Sequence, residues 1–261
     1  MHPGMKIRYD RIVNPETGKT VLLPFDHGLP FGPLPGIIDP RQTVRWAAAG
    51  GATGLVFNQG LANVLFPEYN TRMATIHMLT NGCTIEHAAL FGSVVRAVKW
   101  AADAVAVEIL VGAESERQMI EQVAPVVDAC EEWNMPILFM MYPTSRYIEQ
   151  VGRVEAIQRA ARAGAELGAT LVKTAWPGSK ADMAKVVESC PVPLVVAGGS
   201  QKTVEETFQL VRDIMDAGAI GLAMGRNLWG AKDPVKMIKA VSAVVHKGAS
   251  VQDALALLEW Q

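Results

Sequence analysis

An eight-stranded α/β barrel is the fold this sequence predicts, and three observations predict it. Eight short apolar, β-prone runs alternate with helical patterns along one chain of 261 residues. The runs end in polar or Gly-rich residues, at the positions where the loops of such a barrel carry function. The first run lacks the Gly-x-Gly-x-x-Gly turn that an open dinucleotide-binding sheet would place there. Length alone would suggest two domains, but α/β barrels reach this size as one. Residues 1–261 are therefore expected to form a single domain.

Residues 1–19 are polar and turn-rich (Asn14-Pro15-Glu16-Thr17-Gly18) and read as a lead-in segment. Residues 20–25 form the first strand, an apolar run suited to burial on both faces. It closes in Asp26-His27-Gly28, and a Gly- and Pro-rich loop follows over 29–38. Asp39-Pro40 opens a helix, a cap followed by Pro at the first position. The second strand, 54–58, is closed by Gln59-Gly60. The stretch 61–84 shows the least pattern; 74–79 reads as the third strand and Asn81-Gly82 as a turn. A helical pattern over 92–102 leads to the fourth strand, 104–111, with Glu108 inside it.

In the helix expected over 114–133, Met119, Ile120, Val123, Val127 and Cys130 recur at helical spacing, while Pro125 predicts a kink or break. The fifth strand, 136–141, ends at Tyr142-Pro143. A helix over 151–167 precedes the sixth strand, 170–176, which carries Lys173 in its middle. A helix over 180–189 leads to the seventh strand, 193–197, ending in Gly198-Gly199-Ser200. Val204, Phe208, Val211 and Met215 stripe the next helix. The eighth strand, 221–224, ends in Gly225-Arg226-Asn227. Helices over 234–247 and 251–260 close the chain, the latter within a C-terminal segment spanning 250–261.

Half of the residues are hydrophobic and 19% are charged, as in a soluble globular protein. A net charge of −2 offers no electrostatic footprint for nucleic acid or an anionic membrane. Cys83, Cys130 and Cys190 lie far apart without a Cys-x-x-Cys pair and read as free thiols in a reducing compartment. No signal peptide and no membrane-spanning apolar run is evident, so a cytoplasmic enzyme is expected.

A lysine inside a buried strand is costly unless it is paired or has lost its proton. Lys173 is thus either a snorkelling residue on an edge strand or an amine in an apolar pocket, able to attack a carbonyl and form a Schiff base. Gly198-Gly199-Ser200 and Gly225-Arg226-Asn227 fit the phosphate site that barrels build after strands seven and eight, although glycines there also serve tight turns. Tyr142 and Asp26 end strands near Lys173 and could carry protons; taken alone, they also suit rim packing and a loop brace. Glu108 either pairs with Lys173 or is structural. His27, His77 and His87 are scattered and show no metal-ligand spacing, and His87 is expected on a helix. No Gly-x-Ser-x-Gly occurs.

These residues resemble the DhnA-type, archaeal-type class I aldolases, which include fructose-bisphosphate aldolases and 2-amino-3,7-dideoxy-D-threo-hept-6-ulosonate synthases. The resemblance runs from about Arg11 to Leu258. It rests on Phe25-Asp26-His27-Gly28 with Gly32-Pro33 and Gly36, on Met141-Tyr142-Pro143, and on Gly164-Ala165-Glu166-Leu167-Gly168-Ala169. It continues through Val172-Lys173-Thr174, Val196-Ala197-Gly198-Gly199 and Met224-Gly225-Arg226-Asn227.

The resemblance implies a TIM barrel with no metal and no cofactor. By it, Lys173 looks like the imine-forming lysine, Tyr142 the proton donor and Asp26 the proton acceptor. His27, Gly28, Gly198, Gly199, Gly225 and Arg226 look like the substrate and phosphate set. It implies a phosphorylated keto-sugar or dihydroxyacetone-phosphate-like substrate and a homo-oligomer of the decamer-ring type. Three departures lie at the mouth. Thr144-Ser145 stand where the family has Arg-Gly, with Arg146 displaced. The segment after Lys173 keeps an aromatic, Trp176, but lacks the family's acid, and Gln59 replaces a basic residue. These changes disfavour a second phosphate. The expected activity is fructose-bisphosphate aldolase-like. The heptulosonate synthase is the alternative within the class, and acyl transfer from a phosphorylated dione to a thiol is an alternative from another class. A phosphosugar-binding barrel without activity is the remaining reading.

Overall fold

In the computed structural model of the chain, which describes residues 1–68, 73–82 and 87–259, eight parallel strands close into a barrel. They are β1 (Thr20–Pro24), β2 (Gly54–Asn58), β3 (Ala74–Met78), β4 (Ala104–Val111), β5 (Ile137–Pro143), β6 (Leu171–Thr174), β7 (Leu194–Ala197) and β8 (Gly221–Ala223). Each pairs with its neighbour in order, and β8 closes on β1 with Thr20 opposite Gly221. Side chains alternate across each strand. Leu22, Val56, Ile76, Ala106, Leu138 and Val195 therefore fill the barrel's interior. Val21, Leu55, Phe57, Val105, Phe139 and Val196 face the surrounding helices.

The expected strands all form, and the departures have physical causes. Residues 1–19 hold a helix, Pro3–Ile12, where a polar lead-in was expected. Four of its ten residues are charged, and Tyr9, Ile12 and the following Val13 pack on the interior cluster and plug the end of the barrel where the strands begin. The Thr20 hydroxyl donates to the Ile12 carbonyl (2.6 Å), and Arg11 reaches the buried Asp103 (2.8 Å). The loop after His27 starts as a helical turn, Gly28–Phe31. Asn81-Gly82 are not a turn: Thr80–Gly82 is a short strand paired antiparallel with Ala88–Leu90. His87 lies just before that second strand rather than on a helix.

The helix Glu116–Glu132 runs through Pro125 without a break. Pro removes one helical hydrogen bond, but Met119, Val123, Val126 and Cys130 are buried along one face and hold the helix on the barrel. The helix expected over 151–167 is two, Ser145–Val151 and Arg153–Glu166. Gly152 divides them at φ +93°, a conformation no helix contains. Cys130 and Cys190 are free and buried, whereas Cys83 and Thr84, and Trp260, to which the last helix was expected to run, fall outside the described residues. No helix among the described residues is long and apolar enough to cross a membrane.

Barrel closure depends on the absence of a side chain at residue 221. A Cβ there would lie 1.9 Å from the Thr20 carbonyl oxygen, a backbone atom with little freedom to move. Gly221→Ala should lower stability by about 2–3 kcal/mol, read as a lower urea midpoint at unchanged slope. An unchanged midpoint would show that the seam yields.

Candidate active site

Strand register places Glu108, Met140, Lys173 and Val195 side by side on β4, β5, β6 and β7. They form one layer inside the barrel. Lys173 is 5% exposed. Its Nζ lies 4.0 Å from Met140 Sδ and 5.9 Å from the centre of the Tyr142 ring. The neighbouring Thr174 points outward, and its hydroxyl donates to the Met141 carbonyl (2.9 Å), pinning β6 to β5. A closed barrel has no edge strand, so the snorkelling reading of Lys173 fails. Burial pulls the Lys173 pKa below that of an ordinary lysine, while the charges of Asp26 and Glu108 oppose the shift.

Tyr142 lies within β5 rather than after it, two residues beyond Met140 and on the same face. Burial raises its phenol pKa well above the usual value, and the charges of Glu108 and Asp26 raise it further. Tyr142 therefore keeps its proton at neutral pH. Asp26 follows β1, and its backbone is clamped from two sides. The side-chain amides of Asn58 (2.8 Å) and Asn81 (3.1 Å) both donate to its carbonyl, and Asn81 also donates to Asn58 Oδ1 (2.9 Å). His27 Nδ1 stands 3.5 Å from Asp26 Oδ1. Burial lowers the His27 pKa, and its ring meets Trp229 edge-on at 5.6 Å.

Glu108 does not pair with Lys173. Its carboxylate accepts the Gly82 N–H (2.7 Å), and its own N–H donates to the Thr80 hydroxyl (2.6 Å). Burial first, then the charge of Asp26, raises its pKa to about 7.

The loops after β7 and β8 are tied together. Arg226 donates to the Gly199 carbonyl (2.9 Å). The Asn227 side chain donates to the carbonyls of Gly198 (3.4 Å) and Ser200 (3.1 Å) and accepts the Lys202 N–H (2.8 Å). At Gly225 a Cβ would stand 2.4 Å from the Pro24 carbonyl oxygen, so only glycine lets the eighth loop close onto the first. Gly225 opens the helical turn Arg226–Trp229 as expected. Gly198-Gly199-Ser200 does not open a helix directly. That helix starts at Val204, with Thr203 and Glu206 forming a capping box.

A cavity of about 400 Å³ lies between these parts. Of the residues singled out in the sequence, Lys173, Tyr142, His27 and Trp176 line it, as do Gly198, Gly199, Gly225 and Arg226. Asp26, Gly28 and Glu108 do not; Asp26 and Glu108 act on Lys173 through their charge. Arg153 and Lys202 also line the cavity, and sequence reasoning missed both. The available signal for Arg153 was its place directly after Gly152 at a helix start, where a cation opposes the helix dipole. The departures at the mouth have structural uses. Thr144 caps the helix Ser145–Val151, Arg146 turns to Glu114 (2.9 Å), and Gln59 exchanges hydrogen bonds with the Ser93 backbone (2.9 and 3.0 Å). Among the described residues, no three His, Cys, Asp or Glu side chains converge as a metal site would require.

Comparison with known proteins gives this geometry a family. Residues 20–231 match the DeoC/LacD family aldolase model. The chain belongs to that family. By reaction type it is a class I, Schiff-base-forming aldolase. A 2-amino-4,5-dihydroxy-6-oxo-7-(phosphonooxy)heptanoate synthase from Streptomyces griseus is 34% identical over 251 residues, covering 94% of this chain and 91% of the relative. A 2-amino-3,7-dideoxy-D-threo-hept-6-ulosonate synthase from Halobacterium salinarum is 32% identical over 256 residues, covering 97% and 96%. Among solved structures, an archaeal fructose-1,6-bisphosphate aldolase aligns with a TM-score of 0.84 at 28% identity, over 93% of this chain and 99% of that one. That structure holds its catalytic Lys covalently bound to the carbinolamine intermediate of its substrate.

In this aldolase the raised pKa of Glu108 has a consequence for stability. The folded carboxyl binds its proton up to about pH 7, whereas the unfolded one releases it near 4.5. The folded state holds more protons between those values, so stability falls as pH rises through that window. Glu108→Gln removes the effect, and the variant should gain about 3 kcal/mol on wild type between pH 4.5 and pH 8. Parallel urea-midpoint profiles for the two proteins would contradict this.

Proposed function

We propose that the chain catalyses a reversible aldol reaction on a phosphorylated ketose, fructose-bisphosphate aldolase-like, with Lys173 forming the imine. One observation carries the reading. A buried amine of lowered pKa lines the same cavity as two tied, glycine-bearing loops and Arg226. Backbone N–H groups and a guanidinium suit a phosphate, and Lys173 then meets the ketone carbon beside the phosphate-bearing carbon. The S. griseus relative is named for a compound with this arrangement, a 6-oxo group beside a 7-phosphonooxy group.

In the proposed reaction the neutral Lys173 amine attacks the ketone carbon and forms a carbinolamine. Tyr142, which keeps its proton, donates to the departing hydroxyl, and water leaves as the iminium forms. Asp26 takes the proton from the hydroxyl beyond the scissile bond. The C–C bonding pair then moves into the iminium, an aldehyde departs, and an enamine remains on Lys173. Protonation of the enamine carbon and hydrolysis release the ketone and restore the amine. His27 and Gly28 complete the substrate set, His27 from the cavity wall and Gly28 through the loop it opens. The heptulosonate-synthase reading keeps the imine on Lys173 but differs in both halves: the product named for that relative has a 6-ketone beside a deoxygenated carbon 7, so its donor half carries no phosphate next to the ketone.

The same reading includes a homo-oligomer, for which the exposed Leu29, Phe31 and Ile38 offer apolar contact surface. It also includes a cytoplasmic location, which suits the free Cys130 and Cys190.

Borohydride added with dihydroxyacetone phosphate should leave a stable mass increase on the peptide bearing Lys173, and Lys173→Met should abolish it. No increase, or one on another lysine, would count against the proposal. Tyr142→Phe should lower kcat by about 100-fold or more. A turnover near wild type would remove Tyr142 from the mechanism.

A further inference from the structure

Two arginines line the cavity, and they are held in the same way. Arg226 donates to the Gly199 carbonyl in the loop after β7 (2.9 Å). Arg153 donates to the Trp176 carbonyl in the loop after β6 (3.1 Å). Each guanidinium is anchored through one N–H to backbone, and among the described residues neither forms an ion pair with a carboxylate. Elsewhere carboxylates neutralise arginines readily, as in Arg146–Glu114, Arg159–Glu116, Arg162–Glu166 and Arg212–Asp216. The cavity arginines are thus placed and left with free donors.

The helix electrostatics do not account for the place of Arg153. It occupies the first position of the helix Arg153–Glu166, where the dipole disfavours a cation. Gly152, at φ +93°, turns the chain so that this helix starts beside the Trp176 loop. Arg226 belongs to the phosphate loops after β7 and β8; Arg153 comes from the loop after β5 and rests on the loop after β6. Tyr142 and Lys173 line the wall with it. Meanwhile Arg146, the arginine nearest the family's position, is taken up by Glu114 (2.9 Å).

We propose that Arg153 binds an anionic group on the acceptor aldehyde, a carboxylate or a phosphate, and so determines which aldehyde this chain accepts. The inference rests on the aldolase reading above, which supplies the donor half. A planar guanidinium with free N–H groups pairs with either anion by two parallel hydrogen bonds. It supplies a cation at the mouth of the cavity, where Thr144 and Gln59 stand in place of the family's basic residues.

The test is condensation of dihydroxyacetone phosphate with three aldehydes: glyceraldehyde 3-phosphate, 4-oxobutanoate and uncharged glyceraldehyde. Wild type should favour at least one charged acceptor over the neutral one. In Arg153→Gln that preference, as a ratio of kcat/KM values, should fall by about tenfold or more through KM, and Arg153→Lys should recover part of it. The charged aldehyde that suffers the loss names the anion. A wild type without preference for either charged acceptor would overturn the inference, as would a ratio in Arg153→Gln within about twofold of wild type. Trapping of dihydroxyacetone phosphate on wild-type Lys173 separates the two readings. If trapping succeeds and the ratios do not move, only the role of Arg153 fails. If trapping fails, the donor reading fails and this inference with it.

Discussion

The structure turns on the removal of one amine from water. An ordinary lysine is protonated at neutral pH and cannot act as a nucleophile. Inside this barrel, Lys173 has Met140 and Val195 as its lateral neighbours, with Met140 Sδ 4.0 Å from its Nζ. Desolvation therefore lowers its pKa, and the charges of Asp26 and Glu108 limit how far. The opposition matters. A lysine without nearby carboxylates would be cheaper to hold neutral, but an iminium formed on it would then lack compensating charge.

The same burial acts in the opposite sense on the acids of the site. Tyr142 and Glu108 are both pushed towards their neutral forms. One low-dielectric interior thus gives an amine tending towards its free base, a phenol that keeps its proton and a carboxyl poised near neutrality. No separate device is needed for each.

The mouth of the barrel is held by backbone contacts more than by side-chain pairs. Asn58 and Asn81 clamp the carbonyl of Asp26, Trp229 donates to that of Pro24 (3.0 Å), and Asn227 gathers the loop after β7. These bonds use groups at strand ends that would otherwise lack partners. They leave the cavity wall free for the groups that meet substrate. The hairpin strand Thr80–Gly82 has a similar role, because it carries Asn81 to Asp26 and is itself held by Glu108.

Much of this was legible in the order of residues. Buried parallel strands are continuous apolar runs, so all eight strands could be placed, and a polar residue ending or interrupting one stands out. Lys173, Tyr142, Asp26, Arg226 and the glycines were found in that way. What could not be read were features that exist only when distant segments meet. The helix Pro3–Ile12 has only a short apolar stripe, Met5, Tyr9 and Ile12, interrupted by charges and the exposed Ile7, and is held by the barrel end it plugs. Asn81 looked like a turn residue because the carbonyl it binds lies 55 positions away. The sequence by itself determined the barrel and the chemical type of its centre, since both follow from local apolar pattern and residue identity. Only the tertiary structure decided that Glu108 serves Gly82 rather than Lys173, and that Arg153 lines the cavity while Arg146 turns away. Those outcomes depend on which loop backbones come within a few ångströms of each side chain, a distance that strand closure sets and residue spacing does not.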